Sequence, residues 1–200
     1  ASDVPREWHA FAADCLEAPA TAPLRLPHSP APKSLPRSVV LAVRKRVASC
    51  STFVLMITPS LWAAPLTLIA TLAAYEFAKP IVGVLLDREP PSPMSRAGAT
   101  LESVIGDVAL DLADFLERKH PRTLQAVVAH DDLAGAGRRL QTIMDALVGD
   151  RLISLPAYAM EGGADGLTLD AESQAALKRA ISAAKPNESA VAEARSRVLI

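Results

Sequence analysis

Of the 200 residues, 50% are hydrophobic but only 4% aromatic, and the formal net charge is −1. A chain of this length holds one sizeable core. Its Ala-, Leu- and Val-rich apolar content favours helices over strands, and two isolated cysteines set aside a disulfide scaffold or a thiolate metal site, so an all-α protein is expected.

The N-terminal stretch DVPREWHAFAADCLEA reads as a short helix with Asp3 as N-cap and Pro5 in the first turn. Trp8, Phe11, Ala12, Cys15 and Leu16 repeat at helical spacing and form one apolar stripe. This stretch is amphipathic rather than a cleavable signal. From Ala18 to Arg37, prolines at 19, 23, 27, 30, 32 and 36 exclude a regular helix or a central strand, which predicts an extended, polyproline-like arm.

Charge is distributed unevenly. Residues 1–17 sum to −3, whereas Ala18 to Tyr75 has no acid and carries +6 from Arg25, Lys33, Arg37, Arg44, Lys45 and Arg46. An acid-free arm of this kind suits anionic lipid, nucleic acid or the acidic face of a neighbouring subunit, and it also fits a solvated linker.

Val47 to Tyr75 holds 29 residues without a formal charge, interrupted by Pro59 and Pro65. Ser38 is expected to cap a helix running to Thr58, and a second helix to run from Ser60 to about Leu86, kinked at Pro80 and loosened at Gly83. Ser49 to Leu72 is long enough to cross a hydrocarbon core, with Arg44, Lys45 and Arg46 keeping its N-terminal side cytoplasmic. Its prolines, hydroxyls and alanines favour instead a broken helical segment buried against partners or lipid.

DREPPSPMSRAG marks a boundary. Thr100 to Lys119 is the clearest amphipathic helix, with Leu101, Val104, Ile105, Val108, Leu112, Phe115 and Leu116 on one stripe. Pro121 opens the next helix, with Leu124, Val127 and Val128 inward. Leu133 to Val148 follows, with Leu140, Ile143, Met144, Leu147 and Val148 as its core face and Gly149 as C-cap. Residues 151–160 form an apolar connection with a short extended piece, and EGGADG at 161–166 is a turn. Asp170 and Asn187 cap two final helices separated by Pro186. No period recurs, so a solenoid is not expected.

No catalytic motif is recognisable. His120 and His130, beside Asp131 and Asp132, match no metal-ligand spacing. GAGRRL at 135–140 lacks the ending of a phosphate loop and is read as close helix packing. Asp107, Asp111 and Asp114 share a helix face, but that face lies opposite the apolar stripe, where nothing raises a carboxyl pKa. The formal sequon at Asn187 is assigned no function. Neither a cofactor nor a metal is expected.

The domain organisation expected is an N-terminal helix plus arm over 1–37, an apolar segment over 38–87 and a helical domain over 99–200. The function expected is that of a non-enzymatic structural subunit of a large assembly, of the virion coat or shell type, homo-oligomeric or joined to other subunits and in contact with a lipid bilayer. Trp8, Phe11, Arg25, Lys33 and Arg37 are the candidate arm contacts. Arg44, Lys45, Arg46, Phe53, Leu55, Trp62, Leu66, Leu68 and Leu72 are the candidate residues facing lipid or partner. The alternatives are a membrane-anchored accessory subunit and, less favoured, a soluble enzyme or helical nucleic-acid binder.

Overall fold

The computed structural model describes residues 8, 10–13, 35–57, 61–87, 112–129, 133–147, 152–156, 160–163 and 166–198. The arm contacts Arg25 and Lys33, the segment 88–111 with most of the expected amphipathic helix, and the His130, Asp131 and Asp132 cluster lie outside them.

Among the described residues the chain is mostly helical. Its elements are α1 (Arg37–Ser49), β1 (Phe53–Ile57), a 3-10 turn (Leu61–Ala63), α2 (Pro65–Glu76), β2 (Ile81–Asp87), α3 (Leu112–Lys119), α4 (Pro121–Val128), α5 (Leu133–Ala146), β3 (Leu152–Pro156), β4 (Met160–Gly163), β5 (Gly166–Leu169), α6 (Ala171–Ala183) and α7 (Glu188–Val198). Trp8 and residues 10–13 are also helical.

The expectation of an all-α chain holds in its mostly helical character, and is corrected in part by a three-stranded parallel sheet in the order β1-β2-β3 and a β4-β5 hairpin. Phe53 pairs with Ile81 and Ile57 with Leu85, while Gly83 pairs with Leu152 and Asp87 with Pro156. Two strands therefore stand inside the segment expected to be helical throughout. FVLMI and IVGVLLD are short apolar runs that periodicity cannot tell from buried helix, and their Phe, Val and Ile favour the pleated conformation. β2, buried at every residue from Ile81 to Leu85, carries the continuous apolar run of a strand covered on both faces.

Pro80 does not kink a helix; it immediately precedes β2, and its carbonyl accepts the Phe53 N–H at 2.8 Å. α2 begins at Pro65, which occupies a first-turn position where a missing N–H costs nothing. The helix ends through Ala78, whose φ is 48°. Two bonds close that end: Ala78 N–H donates to the Tyr75 carbonyl at 2.9 Å and Lys79 N–H to the Ala74 carbonyl at 2.8 Å.

α2 is the centre of the molecule. Of its 12 residues, only Thr67 and Glu76 are not buried, and it packs against α1, α4, α5, α7 and β1. The buried Thr71 hydroxyl donates to the Thr67 carbonyl at 2.7 Å, so no polar atom is stranded. One apolar cluster runs from Val39, Val43 and Val47 through Leu55, Ile57 and Leu68 to Leu116, Leu140, Ile143 and Leu147.

Among its described residues, most of the apolarity of Val47–Tyr75 is thus buried inside the chain, with Met56 the large exposed exception. The stretch folds as the end of α1, then β1, the 3-10 turn and α2; at 1.5 Å per residue α2 spans about 18 Å, short of a hydrocarbon core of about 30 Å. Among the described residues no helix is long and apolar enough to cross a membrane.

Candidate functional site

Three places on this fold gather the residues singled out in the sequence. The first is the N-terminal helical segment. Trp8, Phe11 and Ala12 are buried and belong to the same cluster as α1 and α2, with Leu35. The Trp8 and Phe11 rings meet edge-to-face, their centroids 6.2 Å apart, a geometry that contributes about 0.5–1.5 kcal/mol beyond area burial. Arg37, the remaining described arm candidate, is exposed.

The second is the corner where α1 meets the end of α2. The Arg44 guanidinium donates to the Glu76 carboxylate at 2.6 Å and stands 5.5 Å over the Phe77 ring. Leu41, one turn earlier on α1, is 54% exposed and Phe77 is 38% exposed, so two large apolar side chains reach solvent near a guanidinium. Lys45 is exposed beside them, whereas Arg46 is buried. Cys50, the residue that follows α1, is a free thiol that donates to the Val47 carbonyl at 3.1 Å. Burial pushes its pKa up, and the Lys79 charge and a backbone hydrogen bond offset only part of that rise. A thiol held protonated is a poor nucleophile at neutral pH.

Third are the margins of the parallel sheet. Among the described residues, β1 and β3 are its two edges. Phe53, Leu55 and Ile57 turn toward the main core, while Val54 is half-buried and Met56 is 38% exposed on the opposite face. At the carboxyl margin the central strand ends in Asp87, whose backbone neighbour on β3 is Pro156.

The candidate lipid- or partner-facing residues separate into two groups. Leu55, Trp62, Leu66, Leu68 and Leu72 are all buried within this chain, and Phe53 packs partly buried against them. Trp62 also meets Phe115 edge-to-face at 5.9 Å, and Phe115 in turn lies 5.7 Å from His120. Lys45 is exposed, and Arg44 and Phe53 reach the surface in part. Sequence reasoning passed over Leu41, Met56 and Phe77, the large apolar side chains that reach solvent among the described residues, because an apolar run does not reveal which of its members points outward until strand and helix are told apart.

Among the described residues, no group of three or more His, Cys, Asp and Glu side chains is placed to hold a metal. Comparison of the chain with family models, curated proteins and solved structures finds no match.

Proposed function

We propose that the chain is a non-enzymatic building block of a larger assembly, joined to its neighbours by exchange of its N-terminal segment. The observation that carries this reading is the burial of Trp8 and Phe11, 3% and 6% exposed, in a core that among the described residues resumes after Ala12 at Leu35. The intervening residues 14–34 contain five prolines. A polyproline-like chain of that length reaches about 60 Å, enough to deliver the same aromatic pair into an adjacent copy. Exchange of an identical element replaces each lost contact with an equal one, so it costs little and links subunits in a closed or extended array.

A coat or shell is the form of assembly such a subunit would build, and bilayer contact would then fall to the exposed Leu41, Lys45 and Phe77 corner rather than to a spanning helix. Light scattering with and without detergent tests the proposal. The expected particle is several times the 21.1 kDa chain, and the paired substitution W8D/F11D returns it to a monomer. A monodisperse monomer at every concentration would overturn the proposal.

One observation favours a second reading, a ligand-binding or enzymatic protein. Asp87 ends the central strand of a parallel sheet, and ligands of α/β proteins gather outside the carboxyl ends of such strands. A thermal-shift screen against divalent cations and nucleotides would support it if one ligand raises Tm and Asp87→Asn removes that rise. A flat screen would remove this reading.

A further inference from the structure

The two edges of the parallel sheet are treated differently by the sequence. β3 ends in Pro156, which cannot donate to a further strand, it follows Arg151, and α6 packs against it. β1 likewise has a helix, α2, packed against it, but it lacks the chemical devices: FVLMI contains no charge, no proline and no glycine. An edge of this kind is a template for another strand unless something blocks it.

Its hydrogen-bonding groups can be assigned. Because Phe53 N–H donates to Pro80 on the β2 side, and successive residues of a strand alternate, Phe53, Leu55 and Ile57 direct their backbone groups to β2. Val54 and Met56 direct theirs outward, and the sheet has no strand beyond β1 among the described residues. Of the outward-directed pair, Met56 is 38% accessible in side-chain terms and Val54 is half-buried.

We propose that β1 pairs antiparallel with β1 of a second copy about a two-fold axis at Leu55. Val54 then faces Met56 of the other copy and exchanges both backbone hydrogen bonds with it, and Met56 faces Val54 in the same way. Two arguments select a second copy as the occupant. Residues 47–75 carry no charge, so antiparallel self-pairing opposes no like charges over the strand or its flanks. The outward groups are confined to two residues symmetric about Leu55, so the edge complements itself, as an isologous interface requires. Pairing also doubles a sheet that is small beside the usual strand number of about 4–6. Five residues bury far less than the roughly 800 Å² per partner of a stable interface, so this contact rests on the self-association proposed above for the rest of its area.

Residue-resolved amide hydrogen exchange on the full chain, at concentrations above and below the association midpoint, tests the pairing. In the associated state the Val54 and Met56 amides are expected to exchange at least about tenfold more slowly than in the dissociated state. The Leu55 amide, bonded to β2, stays protected in both and reports that the fold is intact. Met56→Lys places a blocking charge on the edge and is expected to abolish the extra protection at 54 and 56. Val54→Pro, which removes only an outward N–H, is the second variant, read by loss of protection at Met56. Association with freely exchanging Val54 and Met56 amides overturns the strand pairing and leaves the assembly proposal standing. Protection that appears only when a different protein is added overturns self-pairing as well. Absence of association at any concentration overturns both.

Discussion

Helices α2 and α6 have nearly the same length, 12 and 13 residues, and are held by different physics. α2 is sunk in the core and has no side-chain cap at its N-terminus. α6 buries only Ser173, and its first turn is closed by Asp170, whose carboxylate accepts the Ser173 N–H at 2.7 Å. Burial fixes one helix and local hydrogen bonding the other. The contrast explains why the apolar stretch invites a membrane interpretation: a helix covered by its own chain on nearly every side has the composition of one covered by lipid.

The sharpest way to break the contrast is to remove volume from α2. Leu68 is fully buried, and Leu68→Ala is expected to cost about 3 kcal/mol, because the lost transfer energy adds to that of an incompletely collapsed cavity. The same truncation at the half-buried Leu177 of α6 is expected to cost less than half as much. Equilibrium urea unfolding monitored by circular dichroism gives both values. Equal losses would mean that α6 is also held by the core.

A smaller effect tests the other half of the comparison. Asp170→Ala removes a capping acceptor from α6 and is expected to destabilise by about 1 kcal/mol, with Asp170→Asn recovering most of it. Substitution at Ala64, which precedes α2 without making a side-chain bond, offers no such loss. Below this lies the ion pair between Arg139 on α5 and Glu193 on α7 at 2.8 Å. Its partly exposed geometry limits the expected cost of Glu193→Gln to about 0.5 kcal/mol, shrinking in high salt.

The same division governs how much of the fold could be read from sequence. Elements fixed by local chemistry were legible: Asp170 before α6, Pro121 opening α4, and the apolar stripe of Leu140, Ile143 and Met144 on α5, continued by Leu147 just past its end. Elements fixed by tertiary pairing were not. Phe53–Ile57 and Ile81–Asp87 become strands because each finds the other alongside, a contact between residues 28 apart that no local window contains. Prolines 59 and 80 were available as punctuation, but in an alanine-rich setting they read equally well as breaks between helices. At the candidate site, the aromatic stripe of Trp8 and Phe11 was legible as apolar, and its burial within one core cluster needed the fold. The exposed Met56 was hidden by the helical assignment, since its outward direction follows from strand alternation.

The C-terminal end of α2 sets local geometry against burial at a single residue. Ala78 sits in the left-handed region that follows many helices and that glycine occupies without a clash, and it still completes both closing hydrogen bonds. An alanine there costs about 1 kcal/mol relative to glycine. Its methyl group packs partly buried against the core, which returns part of that cost. The net expectation for Ala78→Gly is therefore a stabilisation of about 0.5 kcal/mol, visible as a rise in Tm. If the variant is instead destabilised, the methyl contact outweighs the backbone strain, and burial rather than local conformation governs even the exit of this helix. Should the gain approach the full glycine advantage, the end of α2 obeys the same local rules as the start of α6, and the difference between the two helices is confined to their middles.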